Sequence, residues 1–178
     1  RLDYNIDIII TGPYDDYRFK KNEGKYYKSG VNINQDFLES STFSRNELIK
    51  IMEKIERIES YIPSNWDDLT KVIYIYDKLK KDIMYDPKYE SKTSKDIRSL
   101  RGIVSSKTVC AGYAVILKEF LDRQNIRCHY ISGLVPEGDN NYGGHAWNVV
   151  EINGKLYPFD LTWENNEYRK GNNTSFDY

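Results

Sequence analysis

The sequence predicts an α+β domain in which helices come first and antiparallel strands follow. Three observations predict it. Apolar residues recur at helical spacing through 45–60, 67–86 and 108–123. Strand-like segments follow at 126–135, 146–152 and 155–161. Between the last two stands Asn153-Gly154, a pair that favours the type I′ turn of a two-residue antiparallel hairpin. At 178 residues the chain can bury its own core without a disulfide or metal to staple it.

Taking the elements in order, Asp7 to Thr11 is a β-branched run that stops at Gly12-Pro13, a strand and a turn. Residues 14–43 are polar and aromatic without a clear period, apart from a short strand expected where Val31 and Ile33 alternate with asparagines. Residues 1–43 therefore read as an N-terminal extension and 44–178 as the main domain. Ser44 and Glu47 form a capping box for a helix with apolar positions at 48, 51, 52, 55 and 58, halted before Pro63. A second helix starts at Asp67 or Asp68, carries Leu69, Val72, Ile73, Tyr76, Leu79 and Ile83 on one face, and ends before Pro87. Residues 88–107 are polar, with a short helix expected around 94–100.

The third helix is expected from Thr108, as N-cap, to Arg123, with Cys110, Ala114, Leu117 and Leu121 on its inner face. A flexible connection is expected over 137–144. With Asn153-Gly154 as the turn, residue i faces residue 307 − i. Asp160 then faces Trp147, two positions from His145 on the same face and within side-chain reach.

Composition excludes several classes of function. A formal net charge of -1 leaves no excess of positive charge to track a phosphate backbone, so no nucleic-acid partner is expected. No run approaches the roughly 18 apolar residues that a membrane-spanning helix needs. The two cysteines, Cys110 and Cys128, form no close-spaced metal pair with the two histidines, and the aspartates are not spaced as a calcium loop. No metal or cofactor is expected; a Cys110–Cys128 disulfide stays open at this point. Sixteen tyrosines suit a cleft or an interface, or reflect a compositional habit of the genome. The chain opens at Arg1 rather than a methionine and closes on Phe176-Asp177-Tyr178, so it is expected to be a piece of a longer protein with other domains as partners. A secreted or cell-surface setting is expected, and the low cysteine count also suits the cytoplasm.

The candidate chemistry rests on three residues. A cysteine on the inner face of a helix is commonly plain core. The first turn of a helix is also where a thiolate is stabilised, by unpaired N–H groups and the positive end of the dipole. Small neighbours, Ala111 and Gly112, would let a substrate approach Cys110. His145 follows Gly143-Gly144 at the start of a strand, where a base can meet a thiol. Asp160 sits in an apolar strand where a carboxylate needs a partner. A thiol, a base and an orienting acid form the set required for covalent acyl transfer. His129 competes as base but has no loop beside it; Glu151 reads as a solvated charge, and Asp139 could orient His145 only if its loop folded back.

Three blocks carry a resemblance: Thr108-Val109-Cys110-Ala111-Gly112-Tyr113-Ala114, Gly144-His145-Ala146-Trp147-Asn148-Val149 and Phe159-Asp160-Leu161-Thr162-Trp163. In this order they resemble the transglutaminase-like superfamily in a bacterial-type member, and the likeness extends upstream through Ile75-Tyr76-Asp77 and Ile83-Met84-Tyr85-Asp86. The resemblance implies a papain-like core, with Cys110 as nucleophile, His145 as base and Asp160 as orienting acid. It implies thiol acyl transfer on a protein or peptide substrate: crosslinking through glutamine, peptidase or deamidase hydrolysis, or a binding module that keeps the triad by descent. One part of the pattern is missing. Papain-like enzymes place a glutamine six residues before the nucleophile as oxyanion donor, and here that residue is Val104. Tyr85 is the substitute expected, with Ser105 and Ser106 behind it; an ordinary cleft wall is the other reading of Tyr85. Trp147 and Trp163 are expected to wall the site or to pack beneath it.

Overall fold

A computed structural model describes residues 18–22, 25–29, 45–86, 100–138 and 141–164. The strands expected at 7–11 and 31–33, residues 94–99 of the short helix expected over 94–100, Ser44 of the capping box and Asp139 lie outside these residues. The described elements are β1 (Arg18–Asn22), β2 (Lys25–Ser29), α1 (Arg45–Glu59), α2 (Asp68–Asp82), β3 (Met84–Tyr85), α3 (Arg101–Ser105), β4 (Lys107–Thr108), α4 (Cys110–Arg123), β5 (Cys128–Gly138), β6 (Asn141–Ile152) and β7 (Lys155–Phe159). The order is helices and then a three-stranded antiparallel sheet β5-β6-β7, an α+β architecture.

The helices begin and end where the sequence supplies a reason. Asp67 caps α2 by accepting a hydrogen bond from the Thr70 N–H at 2.7 Å. Glu47, near the start of α1, accepts from Arg101 Nε at 2.8 Å, and Glu59, at its end, accepts from Arg123 Nη2 at 2.7 Å. Both ends of α1 are thus pinned by arginine–carboxylate pairs to α3 and α4. Between them Ile51, Met52, Ile55 and Ile58 are buried against Val72, Ile75 and Leu79 of α2 and Ile116, Leu117, Phe120 and Leu121 of α4. Each such side chain contributes about 1.5–3 kcal/mol when fully buried.

The start of α4 differs from the sequence expectation. Thr108 is not its N-cap; it is fully buried in β4 and pairs in parallel with Tyr85 of β3. Its carbonyl accepts from the Asp86 N–H at 3.0 Å, so its backbone is committed to this ladder. The cap position falls to Val109, in extended conformation and without a side-chain hydrogen bond. Close approach of α3 to β4 requires Gly102, where a Cβ would come within 2.9 Å of the Thr108 Cβ.

In the sheet, Asn153 and Gly154 both have positive φ, 53° and 74°, as a type I′ turn demands. The register runs from Ile152 opposite Lys155 to Asn148 opposite Phe159, the pairing deduced from the turn. The connection expected over 137–144 is largely strand: β5 extends to Gly138 and β6 starts at Asn141, with a register shift between Pro136 and Gly138. The β1–β2 hairpin, antiparallel from Arg18 opposite Ser29 to Asn22 opposite Lys25, was not foreseen in the unpatterned stretch 14–43.

Candidate active site

The β6–β7 hairpin brings His145 and Asp160 together. β7 ends at Phe159, and Asp160 begins a helical turn over 161–164. Its two carboxylate oxygens have separate tasks. Oδ1 accepts from the N–H of Thr162 at 3.0 Å and of Trp163 at 3.4 Å, capping that turn. Oδ2 lies 2.5 Å from His145 Nε2. Leu161, buried in the main core, holds the turn down on the far side.

Cys110 is the first residue of α4, half-buried beside Ala114, Tyr130 and Ala146. Because no side chain caps α4, its first-turn N–H groups are not claimed by a cap and point toward the thiol end. Neither Cys110 nor Cys128 is in a disulfide, so the pairing left open by the sequence is not formed. Burial alone would lower the affinity of His145 for its proton. Hydrogen bonds to Asp160 and to Cys110, with the charges of both, outweigh that cost and push the imidazole up to about 9.

Two groups face His145 Nε2, and the protonation of the ring decides between them. Trp163 Nε1 lies 3.0 Å from the same nitrogen that faces Asp160. One nitrogen cannot donate to a carboxylate and accept from an indole at once. With the ring protonated, Nε2–H donates to Asp160, and the indole packs edge-on as a shield, its centroid 6.1 Å from the imidazole. Nδ1 is then the ring nitrogen left for Cys110. Trp147 stacks on the other flank at 5.8 Å with an interplanar angle of 21°.

This geometry places the chain among known proteins. The model of the transglutaminase-like superfamily matches residues 57–161, more than half of the sequence. The chain belongs to the transglutaminase-like superfamily. Its helix carrying Cys110 and the antiparallel sheet beside it form the papain-like α+β core of that superfamily. No curated protein matches the chain. Among solved structures it is similar to a putative cysteine protease from Cytophaga hutchinsonii, with 18% identity and a TM-score of 0.47 over 74% of this chain. The match spans 43% of the length of that protein.

The remaining expected site residues fall at varied distances from this transglutaminase-like centre. Tyr85 lies in β3 opposite Thr108, two residues before Cys110, and packs partly buried on the main core. Ser105 Oγ faces the Arg101 and Lys107 carbonyls at 3.1 and 3.0 Å, and Ser106 takes a left-handed φ of 56° in the bend that follows. Val104 is exposed. His129 pairs with Val149 inside the sheet. Glu151 accepts from Arg127 at 2.8 Å on the surface. Trp163 is 57% exposed and Trp147 half-buried, so both flank the site rather than pack beneath it. Sequence reading passed over Asn148. It is a polar residue in the inward row Ala146, Asn148, Val150 and Ile152, and that break in an apolar row was the available signal. Among the described residues no group of His, Cys, Asp and Glu could hold a metal ion, and no helix is long and apolar enough to cross a membrane.

Proposed function

We propose that this protein is a cysteine acyl-transfer enzyme acting on carboxamides of a protein or peptide, glutamine side chains foremost. Membership of the transglutaminase-like superfamily supports a cysteine-dependent enzyme in general terms. The observation that carries the finer reading is geometric: His145 Nε2 lies 2.5 Å from Asp160 Oδ2, and Cys110 opens α4 beside Ala146, the residue next to His145. In this reading the imidazole beside Cys110 stabilises the thiolate, the form of the sulfur that attacks.

Cys110 Sγ attacks the carboxamide carbon and forms a C–S bond, while the carbonyl electrons move onto oxygen. The Cys110 N–H at the uncapped start of α4 is one donor to that oxyanion, and Tyr85 is the side chain proposed for the second. As the tetrahedral intermediate collapses, the C–N bond breaks and imidazolium Nδ1 gives its proton to the departing amine. Neutral His145 then takes a proton from water or a primary amine as it attacks the thioester, and Cys110 leaves as thiolate. Asp160 holds the ring orientation and stabilises its charge throughout.

Incubation of the protein with a glutamine-bearing peptide and a biotinylated primary amine tests this reading. Ammonia release with a thioester mass increment on Cys110, both absent in Cys110→Ala, is the expected result. Amine incorporation identifies a transferase, and glutamate formation or peptide cleavage identifies a hydrolase. Neither an acyl-enzyme nor ammonia nor cleavage, across a panel of glutamine peptides, would overturn it.

A further inference from the structure

We propose that Asn148 is a positioning residue that clamps the Cys110 helix onto the strand carrying His145, an inference that rests on the acyl-transfer reading above. Asn148 is only 2% exposed, yet it carries a polar amide into the packed interface between α4 and the sheet. Its Nδ2 donates to the Ala114 carbonyl at 2.9 Å and lies 3.4 Å from Cys128 Sγ and 3.5 Å from the His129 carbonyl. All three neighbours are acceptors, which fixes the amide with its nitrogen rather than its oxygen toward α4. The Ala114 carbonyl belongs to the helix and accepts this bond on a second lone pair.

Asn148 stands where the elements of the site converge. On its own strand His145 is three residues away. Across the ladder it pairs with Phe159, the residue before Asp160, and on its other side with Tyr130, which packs near Cys110. Its side chain grips α4 at Ala114, one turn beyond Cys110. Apolar packing is non-directional and would let α4 slide or rotate on the sheet by a fraction of an ångström. A directed hydrogen bond resists that motion, and sub-ångström placement is what a thiol–imidazole pair requires.

A packing role and a positioning role make different predictions for Asn148→Leu, which keeps the branched heavy-atom skeleton, is bulkier, and leaves the Ala114 carbonyl with a helical partner. Iodoacetamide alkylation of Cys110, followed by peptide mapping across a pH series, separates them. The expected result is native helical circular dichroism with alkylation at neutral pH slowed by up to about 10²-fold. The pH at which Cys110 becomes reactive moves up toward the ordinary thiol value of about 8.5, because His145 no longer holds the thiolate as partner. Asn148→Asp provides a second arm within one variant. Its protonated carboxyl can donate to the Ala114 carbonyl and its carboxylate cannot, so its rate relative to the native protein recovers as pH falls. A native rate and native pH profile in Asn148→Leu, or a pH-independent ratio in Asn148→Asp should Asn148→Leu not fold, overturns the clamp. His145→Ala in the same series keeps the two claims apart. If it alkylates as fast as the native protein, the thiol–imidazole pair itself is wrong; if it is slow while Asn148→Leu is native-like, only the clamp fails.

Discussion

In its C-terminal half α4 runs through the core, with Ile116, Leu117, Phe120 and Leu121 fully buried. Among them Glu119 is 2% exposed, and no hydrogen-bond partner among the described residues reaches its Oε1. Burial first, then the charges of Asp122 and Glu59, push its carboxyl up to about 8 against the opposing pull of Arg123 and Lys118. At the N-terminus the same helix presents Cys110 to an imidazole pushed up to about 9. Both groups hold their protons more tightly than in water, with opposite consequences for charge. Glu119 is neutral near pH 7 because burial outweighs the cations around it. His145 is charged there because two partners outweigh the burial. A buried group keeps its charge where partners are supplied and discards it where they do not suffice.

Substitutions at the two ends should therefore separate catalysis from stability. Asp160→Asn leaves the hairpin in place but removes the anion that holds the ring, and amide turnover should fall on the order of 10⁴-fold, as in a serine-protease triad. Phe120→Ala at the opposite end should lower unfolding free energy by about 3–5 kcal/mol in denaturant titration. Turnover per folded molecule should stay native, and a comparable loss in both quantities would break the separation. Tyr85→Phe should cost about 10²–10³-fold in turnover if its hydroxyl is the oxyanion donor, and nothing if Tyr85 is only a cleft wall.

A further prediction concerns pH. Folded Glu119 keeps its proton between pH 4.5 and about 8, a range in which the unfolded chain has released it, so stability falls as pH rises through that window. His145 adds a second fall between 6.5 and about 9, again because the folded state binds the extra proton. Glu119→Gln should remove the first window and leave the second. Melting temperatures across the pH range would show it, and an unchanged slope from pH 5 to 6.5 would contradict the assignment.

Much of this site was legible in the sequence because it depends on periodicity and one turn. Asn153-Gly154 dictates a two-residue turn, and a two-residue turn dictates which residues face each other. The closeness of His145 and Asp160 was therefore countable in advance. The start of α4 was less legible. Threonine is a good N-cap in isolation, but Thr108 is drawn into the β3–β4 ladder, a pairing of two residues on each side that is too short to leave a pattern. The same ladder is what places Tyr85 near Cys110. β1 and β2 escaped notice because Arg-Phe-Lys-Lys-Asn and Lys-Tyr-Tyr-Lys-Ser lack a clean apolar alternation. Asn148 was visible as a residue and opaque as a contact, since its partner is a backbone carbonyl on a helix 34 positions away.

The central claim is that His145 makes Cys110 a ready nucleophile. Its most direct test is the rate of Cys110 alkylation by iodoacetamide near pH 6.5, where an ordinary thiol with a pKa of about 8.5 is almost wholly protonated. The account predicts that Cys110 reacts well ahead of a model thiol and of Cys128, and that His145→Ala abolishes the advantage. A Cys110 that reacts no faster than the model thiol, or equally fast without His145, would contradict it.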